Sequence, residues 1–248
     1  MTDGDPVRRG PIAELRAFVD ATLIAPVPRE RTESRTVIRR RRVVCAVTLL
    51  VGGVVLGWTL RLPPGDDRFY LGTLALAAVW AAGGFASGPL HLGHAHTRSG
   101  RHDARPVVQS LALGGLLLAL FLLGALMVAR IPLLRGPVDE LLDHARVGSL
   151  VLVALLTAVN GAAEEVFFRG GLYAAAGRRH GVAVTTAAYT IVTATSGIPL
   201  LVLAGLLLGL LTGLQRRVTG GILGPVITHL IWSMGMLFIL PDLLSALA

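Results

Sequence analysis

Four ionisable residues stand inside long apolar stretches of this chain, away from their ends: Glu164, Glu165, Arg169 and His229. A charged side chain at mid-bilayer costs at least roughly 2.5–3.5 kcal/mol on insertion scales, so such groups face a bundle interior or a water-filled cavity and usually serve a function. Their spacing assigns roles. Glu165 and Arg169 are i, i+4 with the acid N-terminal, the favoured ion-pair geometry on a helix. Glu164 points about 100° away, and its i−4 neighbour is Asn160, the only Asn in the chain. One carboxylate is therefore expected to be tied up structurally and the other to be free, as a general base must be.

Two further stretches can supply partners. Thr186, Tyr189, Thr190 and Thr193 form a hydroxyl stripe at helical spacing, which in a membrane should face other helices or water. His229 has Ser233 one turn later on the same face. Glu164, Thr193 and His229 could converge on one cavity opening toward the cytoplasm. The competing reading is a polar cluster that only fixes helix packing.

The elements that must position these groups are membrane helices. Hydrophobic residues make up 53% of the 248 positions, in runs that reach the roughly 18 residues of a spanning segment. Seven spans are expected, at about 43–61, 69–87, 107–129, 147–177, 181–196, 198–215 and 221–240. The fold class is thus all-α, a polytopic helical membrane protein. All 23 basic residues are Arg, a bias that points to a GC-rich, bacterial genome. The net charge of +8 lies between apolar runs, where topology explains it better than nucleic-acid binding does, and no nucleic-acid motif is present. With the N-terminus inside, seventeen Arg fall on inside segments and five outside, which predicts an N-in orientation in a bacterial cytoplasmic membrane. The run Arg39–Arg42 directly before the first span is the strongest anchor. Three regions follow: an Arg-rich tail over 1–42, upstream membrane helices over 43–147, and core helices over 148–240.

Other signals carry less. In the tail, Ile12, Leu15, Val19 and Leu23 recur at helical spacing after Pro11 and suggest an interfacial helix. Gly205, Gly209 and Gly213 form a small-residue row that lets another helix approach closely. His91, His94 and His96 fit no common metal spacing and read as a solvated loop, as do His102 and His144. Asp139, Glu140 and Asp143 read as a solvated face. The lone Cys45 allows no disulfide framework.

The stretch Glu164-Glu165-Val166-Phe167-Phe168-Arg169-Gly170 resembles the EExxxR signature of the CPBP family, the CAAX-type prenyl endopeptidases and the bacteriocin-processing or immunity proteins similar to them. Gly209–Gln215, Thr219–Ile222, Pro225 and Thr228-His229 extend the resemblance over about 148–240. It implies a glutamate-dependent peptidase buried in the membrane, with Glu164 as base, His229 as oxyanion or proton donor, and Glu165 and Arg169 as structural partners. Two departures stand out. Thr193 occupies the position of the His in the family's Phe-x-x-x-His motif, matched here by Tyr189–Thr193, and Ser233 stands where the last motif has Asn or Asp. A Thr hydroxyl can hydrogen-bond a water but cannot take its proton near neutral pH. Family naming often implies a zinc metalloprotease, for which the best ligand set here is Glu164, Glu165 and His229; the residues themselves require no cofactor.

The expected function is an intramembrane endopeptidase of the CAAX-protease type acting on a membrane-associated peptide. The site residues are Glu164, Glu165, Arg169, His229, Thr193 and Ser233, and the partners are the lipid bilayer and that substrate. The alternatives are a catalytically impaired family member working as a membrane binding or immunity-type partner and, third, a small transporter.

Overall fold

In hydrocarbon every backbone N–H and C=O must be satisfied within its own segment, so apolar runs of this length become helices. The computed structural model describes residues 10–28, 33–97 and 103–247; Arg98, Arg101 and His102 of the histidine-rich loop lie outside them. The elements are α1 (Pro11–Val19), α2 (Arg35–Thr59), α3 (Asp67–Ser87), α4 (Val107–Val128), α5 (Pro132–Val147), α6 (Leu150–Glu165), α7 (Tyr173–Ala194), α8 (Pro199–Thr219) and α9 (Leu223–Ala246), with π-helical turns at Asp20–Ile24 and Val166–Leu172. Among the described residues, six helical stretches are long and apolar enough to cross a membrane. The protein is an integral membrane protein. Outward-facing Leu50, Val54, Leu116, Leu123 and Met127 are all exposed, as lipid-facing side chains should be.

The fourth stretch, Leu150–Ala194, contains two of the expected spans. It runs from α6 through the π turn into α7 and breaks at Gly177, whose φ of 78° and ψ of 168° are non-helical. A left-handed backbone without a Cβ is available to Gly at little cost, so the chain reverses there. The segments expected at 147–177 and 181–196 are the two limbs of this break.

The helix of the first span begins before the expected span. Ser34 caps α2 by accepting from the Val37 amide, so Arg39–Arg42 lie within the helix. Arg41 is fully buried and donates to Glu33, to Ser87 Oγ at 3.3 Å and to the Pro89 carbonyl at 3.2 Å. Arg42 donates to the Ala175 carbonyl at 3.2 Å. The run read as a topological anchor also ties α2 to α3 and α7.

The histidine-rich loop is tied to the fold through its backbone, while His94 stays exposed. The carbonyls of His91 and Leu92 accept from the amides of Ile222 and Leu223 at 2.9 and 3.1 Å, and the His94 amide donates to Thr219 at 3.0 Å. Residues 91–94 thus form a strap across the α8–α9 turn, where Gly93 and Gly221 meet backbone to backbone. In the tail a helix forms as α1, with Ile12 and Leu15 exposed. The turn after it docks on α8, where Arg217 donates to the Leu23 carbonyl at 3.1 Å.

His144 departs from the loop reading. It sits on α5, buried, with its ring stacked on Phe69 at 3.9 Å between centroids. Burial holds its pKa below the ordinary 6.5, against an opposing pull from Asp143. Asp139 and Asp143 pair with Arg135 and Arg146 on the same helix.

The core lies where α3, the π turn, α7 and α8 meet. Trp80 stacks on Phe167 at 5.1 Å, and Phe168 meets Tyr189 edge-on at 4.8 Å. The glycine row of α8 faces α7 as expected. A Cβ on Gly205 would lie 2.9 Å from Thr193 Oγ1, one on Gly209 3.4 Å from the Tyr189 ring, and one on Gly213 3.3 Å from Val182. Without lipid-independent hydrophobic drive between membrane helices, this close contact is what holds α7 and α8 together.

Candidate active site

The site begins where α6 widens into a π turn. Glu164 and Glu165 end α6, and Arg169 lies in the turn Val166–Leu172. π turns are rare and occur often at functional sites. The wider turn still brings Arg169 Nε to 3.2 Å from Glu165 Oε2, with both side chains fully buried. Arg169 also donates to the Gly209 carbonyl at 3.3 Å, and its own carbonyl accepts from Arg216 at 2.6 Å. Its guanidinium lies 4.9 Å above the Tyr189 ring, a cation–π contact that braces Tyr189.

α9 brings the imidazole. His229 is buried, and its Nδ1 lies 2.9 Å from Glu165 Oε1. With Glu165 facing Arg169 on its other oxygen, the carboxylate is the acceptor and Nδ1 carries the proton, an assignment made from the network. Nε2 is thereby aimed at Glu164, 4.0 Å from Oε2. Gly161, one turn before Glu164, packs against the ring: a Cβ there would sit 3.4 Å from it, at ordinary contact distance. Behind His229, Gln215 donates to Thr228 Oγ1 at 2.9 Å, and Thr228 donates to the Ser110 carbonyl at 3.0 Å. This buried chain fixes α9 against α8 and α4.

Glu164 is not the free carboxylate that spacing suggested. Asn160 Nδ2 donates to Oε1 at 2.7 Å, and the Tyr189 hydroxyl donates to Oε2 at 2.5 Å. Both donors are neutral, so Glu164 has no partner like Arg169 of its own. It keeps a small exposure of 9%, against 0% for Glu165 and Arg169.

The structure brings Glu164, Glu165, Arg169 and His229 together and leaves Thr193 and Ser233 aside. Thr193 Oγ1 donates to its own helix, to the Tyr189 carbonyl at 2.8 Å, and faces Gly205 of α8. Ser233 Oγ turns back to the Leu230 carbonyl at 3.4 Å. The convergence expected of Thr193 fails because its position on α7 faces α8, while Tyr189, one turn earlier, reaches Glu164. Tyr189 and Asn160 are the contributors that spacing alone left without a role. Tyr189 carried a signal, as the only Tyr in the hydroxyl stripe.

The donor set does not fit a resident catalytic zinc, which needs three protein ligands at about 2 Å. Glu165 is engaged on both oxygens by His229 and Arg169, so Glu164 and His229 Nε2 alone remain of the expected three. Among the described residues, no group of three or more His, Cys, Asp or Glu could hold a metal ion.

Fold and site together define a helical integral membrane protein with a buried carboxylate–imidazole–guanidinium cluster. Residues 146–235 match the family model described as type II CAAX prenyl endopeptidase Rce1-like, so this segment of the chain is similar to that protease family. The matched segment runs from the end of α5 into α9 and contains all four clustered groups. Neither a curated protein nor a solved structure matches the chain.

Proposed function

We propose that the chain is an intramembrane endopeptidase in which Glu164 activates a water against a peptide carbonyl of a membrane-associated substrate. The observation that carries this is the 4.0 Å gap between Glu164 Oε2 and His229 Nε2. A water in hydrogen-bond contact with both atoms bridges such a gap.

The proton count supports it. Arg169, two carboxylates and an imidazolium sum to zero charge, and so do Arg169, Glu165 ionised, a neutral imidazole and a protonated Glu164. Charge buried in low dielectric disfavours any other total. The cluster therefore holds one mobile proton shared by Glu164 and His229, which general acid–base catalysis uses. The water oxygen bonds to the carbonyl carbon while its proton passes to Glu164. His229, protonated at Nε2 and held by Glu165 at Nδ1, donates to the oxyanion. The C–N bond then breaks and Glu164 returns the proton to the leaving amine. Glu165 acts as orienter, in the way a carboxylate fixes a catalytic imidazole elsewhere. Tyr189 and Asn160 hold Glu164 in place. The prenyl group in the family description is not carried to this substrate.

With N-in topology, the turn at Gly177 and the Arg216–Arg217 end of α8 face the cytoplasm of a bacterial cell, and the site is approached from that side. The test is cleavage of membrane-anchored peptides by the purified chain. Wild type is expected to cleave, and Glu164→Gln to insert normally without cleaving. Equal products from both would overturn the assignment.

A second reading, a non-catalytic membrane partner, is favoured by Thr193, which stands where the family's second motif has His and is bonded to its own helix. It predicts binding without turnover, unaffected by Glu164→Gln.

A further inference from the structure

Apart from the carboxylate cluster, α7 and α8 enclose a groove of about 620 Å³. Its lining changes character along its length. At one end stand Arg178 and Arg179, just past the Gly177 break, together with Arg217 near the end of α8. Arg178 and Arg179 are exposed and carry no acidic partner among the described residues. Arg217 is half-buried and already holds the Leu23 carbonyl, so it adds charge to the rim and not a free fork. Further in, the walls are apolar. Ile191 and Leu210 are 68% and 44% exposed, although they lie between helices that cross a membrane. Thirteen residues separate Arg178 from Ile191, about 20 Å of helix.

One polar atom interrupts the apolar wall. Thr186 lines the groove, is 7% exposed, and its hydroxyl is buried with no hydrogen-bond partner. Thr190 satisfies itself on the Thr186 carbonyl at 2.9 Å, so Thr186 is unusual even within its own stripe. A buried hydroxyl without a partner is costly and calls for an acceptor or donor from outside the chain.

We propose that this groove binds one anionic phospholipid, with its phosphate on Arg178 and Arg179, an ester oxygen accepting from Thr186, and an acyl chain along Leu210 and Ile191. Three features select this occupant. Arginines at a membrane face bind phosphate through charge-assisted hydrogen bonds, and basic pockets between membrane helices take acidic headgroups. The inner walls open to hydrocarbon, where a peptide would leave its backbone groups unsatisfied and an acyl chain would not. The single orphan hydroxyl lies about 12 Å of helix inward of Arg178, between the charged and apolar zones, where the glycerol ester of such a lipid falls. None of these residues belongs to the carboxylate cluster, so the inference stands whether or not the chain hydrolyses peptides.

The test uses the full chain in mild detergent, titrated with phosphatidylglycerol or phosphatidylcholine, with bound lipid counted by native mass spectrometry. Phosphatidylglycerol is expected to bind at least about tenfold more tightly, in line with two arginines near one phosphate. The double variant Arg178→Gln/Arg179→Gln should lose that preference; both positions are exposed, so folding is spared. Leu210→Trp, which fills the apolar half, should weaken phosphatidylglycerol binding with the arginines intact, and Thr186→Val should weaken it less. Soluble glycerol 3-phosphate should not displace the lipid. Equal binding of the two lipids, a preference that survives the double variant, or displacement by glycerol 3-phosphate would each overturn the proposal, the last by showing a headgroup site with no role for the groove.

Discussion

Glu164 and Glu165 are neighbours in sequence and opposites in surroundings. Glu165 is fully buried between two cationic or proton-carrying groups, Arg169 and His229. Glu164 is held only by an amide and a phenol, and its remaining neighbour is the unbonded face of His229 at 4.0 Å. The difference is one of partners. Each oxygen of Glu165 faces a guanidinium or an imidazole, whereas Glu164 is positioned by two neutral donors. On the proposed mechanism, the paired Glu-Glu signature divides its labour: the second carboxylate would build the site and the first would work in it.

The sharpest way to break this comparison is to remove the builder's partner. Arg169→Leu leaves Glu165 a buried charge without its counter-ion, and breaking such a pair costs about 3–5 kcal/mol. Both thermal stability and activity should collapse, read as a large fall in melting temperature in detergent. Glu164→Gln should do the reverse. Its stability should stay within about 1 kcal/mol of wild type, because the amide preserves shape and acceptor. Its cleavage rate should fall by at least about 10²-fold, the scale of a lost general base. If the two variants have the same profile, the division of labour is wrong.

Tyr189→Phe sharpens the comparison further. It removes one donor from Glu164 while sparing the Phe168 and Arg169 contacts of the ring. Losing a buried hydrogen bond to a charged group costs about 1–3 kcal/mol, so the melting temperature should fall by less than in Arg169→Leu, while the rate drops about tenfold or more. The smallest effect concerns the other buried imidazole. His144 is stacked on Phe69 and has no carboxylate bonded to its ring nitrogens, and burial lowers its pKa. The unfolded chain then binds the proton more readily, so stability is intact above about pH 6.5 and declines as pH falls below it. His144→Phe should flatten that acid-side decline in a series of melting curves.

These contrasts also mark what could be read from the residues alone. Glu165 to Arg169 is a contact within one helical segment, so i, i+4 spacing anticipated it; the same spacing set Asn160 beside Glu164, yet that carboxylate was expected to be free. The Gly205–Gly209–Gly213 row likewise announced a close helix neighbour. The π turn at Val166–Leu172 and the break at Gly177 were not legible, because each is set by how the flanking limbs pack. The choice of His229 for Glu165 over Glu164, and of Tyr189 over Thr193, depends on the rotation of α9 and α7 about their axes. Periodicity says that a polar face turns inward; it does not say which side chain on that face arrives first. The resemblance to CAAX-type proteases located the segment that the family model matches, and the geometry leaves Thr193 and Ser233 outside the cluster.

The central claim is that Glu164 delivers a water to a peptide bond. The direct measurement is mass spectrometry of peptides released by the reconstituted chain in H₂¹⁸O. One ¹⁸O atom in each newly formed carboxyl terminus from wild type, and no such product from Glu164→Gln, is the expected result. Labelled product from both proteins, or no cleavage by wild type of any membrane-anchored peptide in a broad library, would contradict it and leave the non-catalytic partner as the reading to pursue.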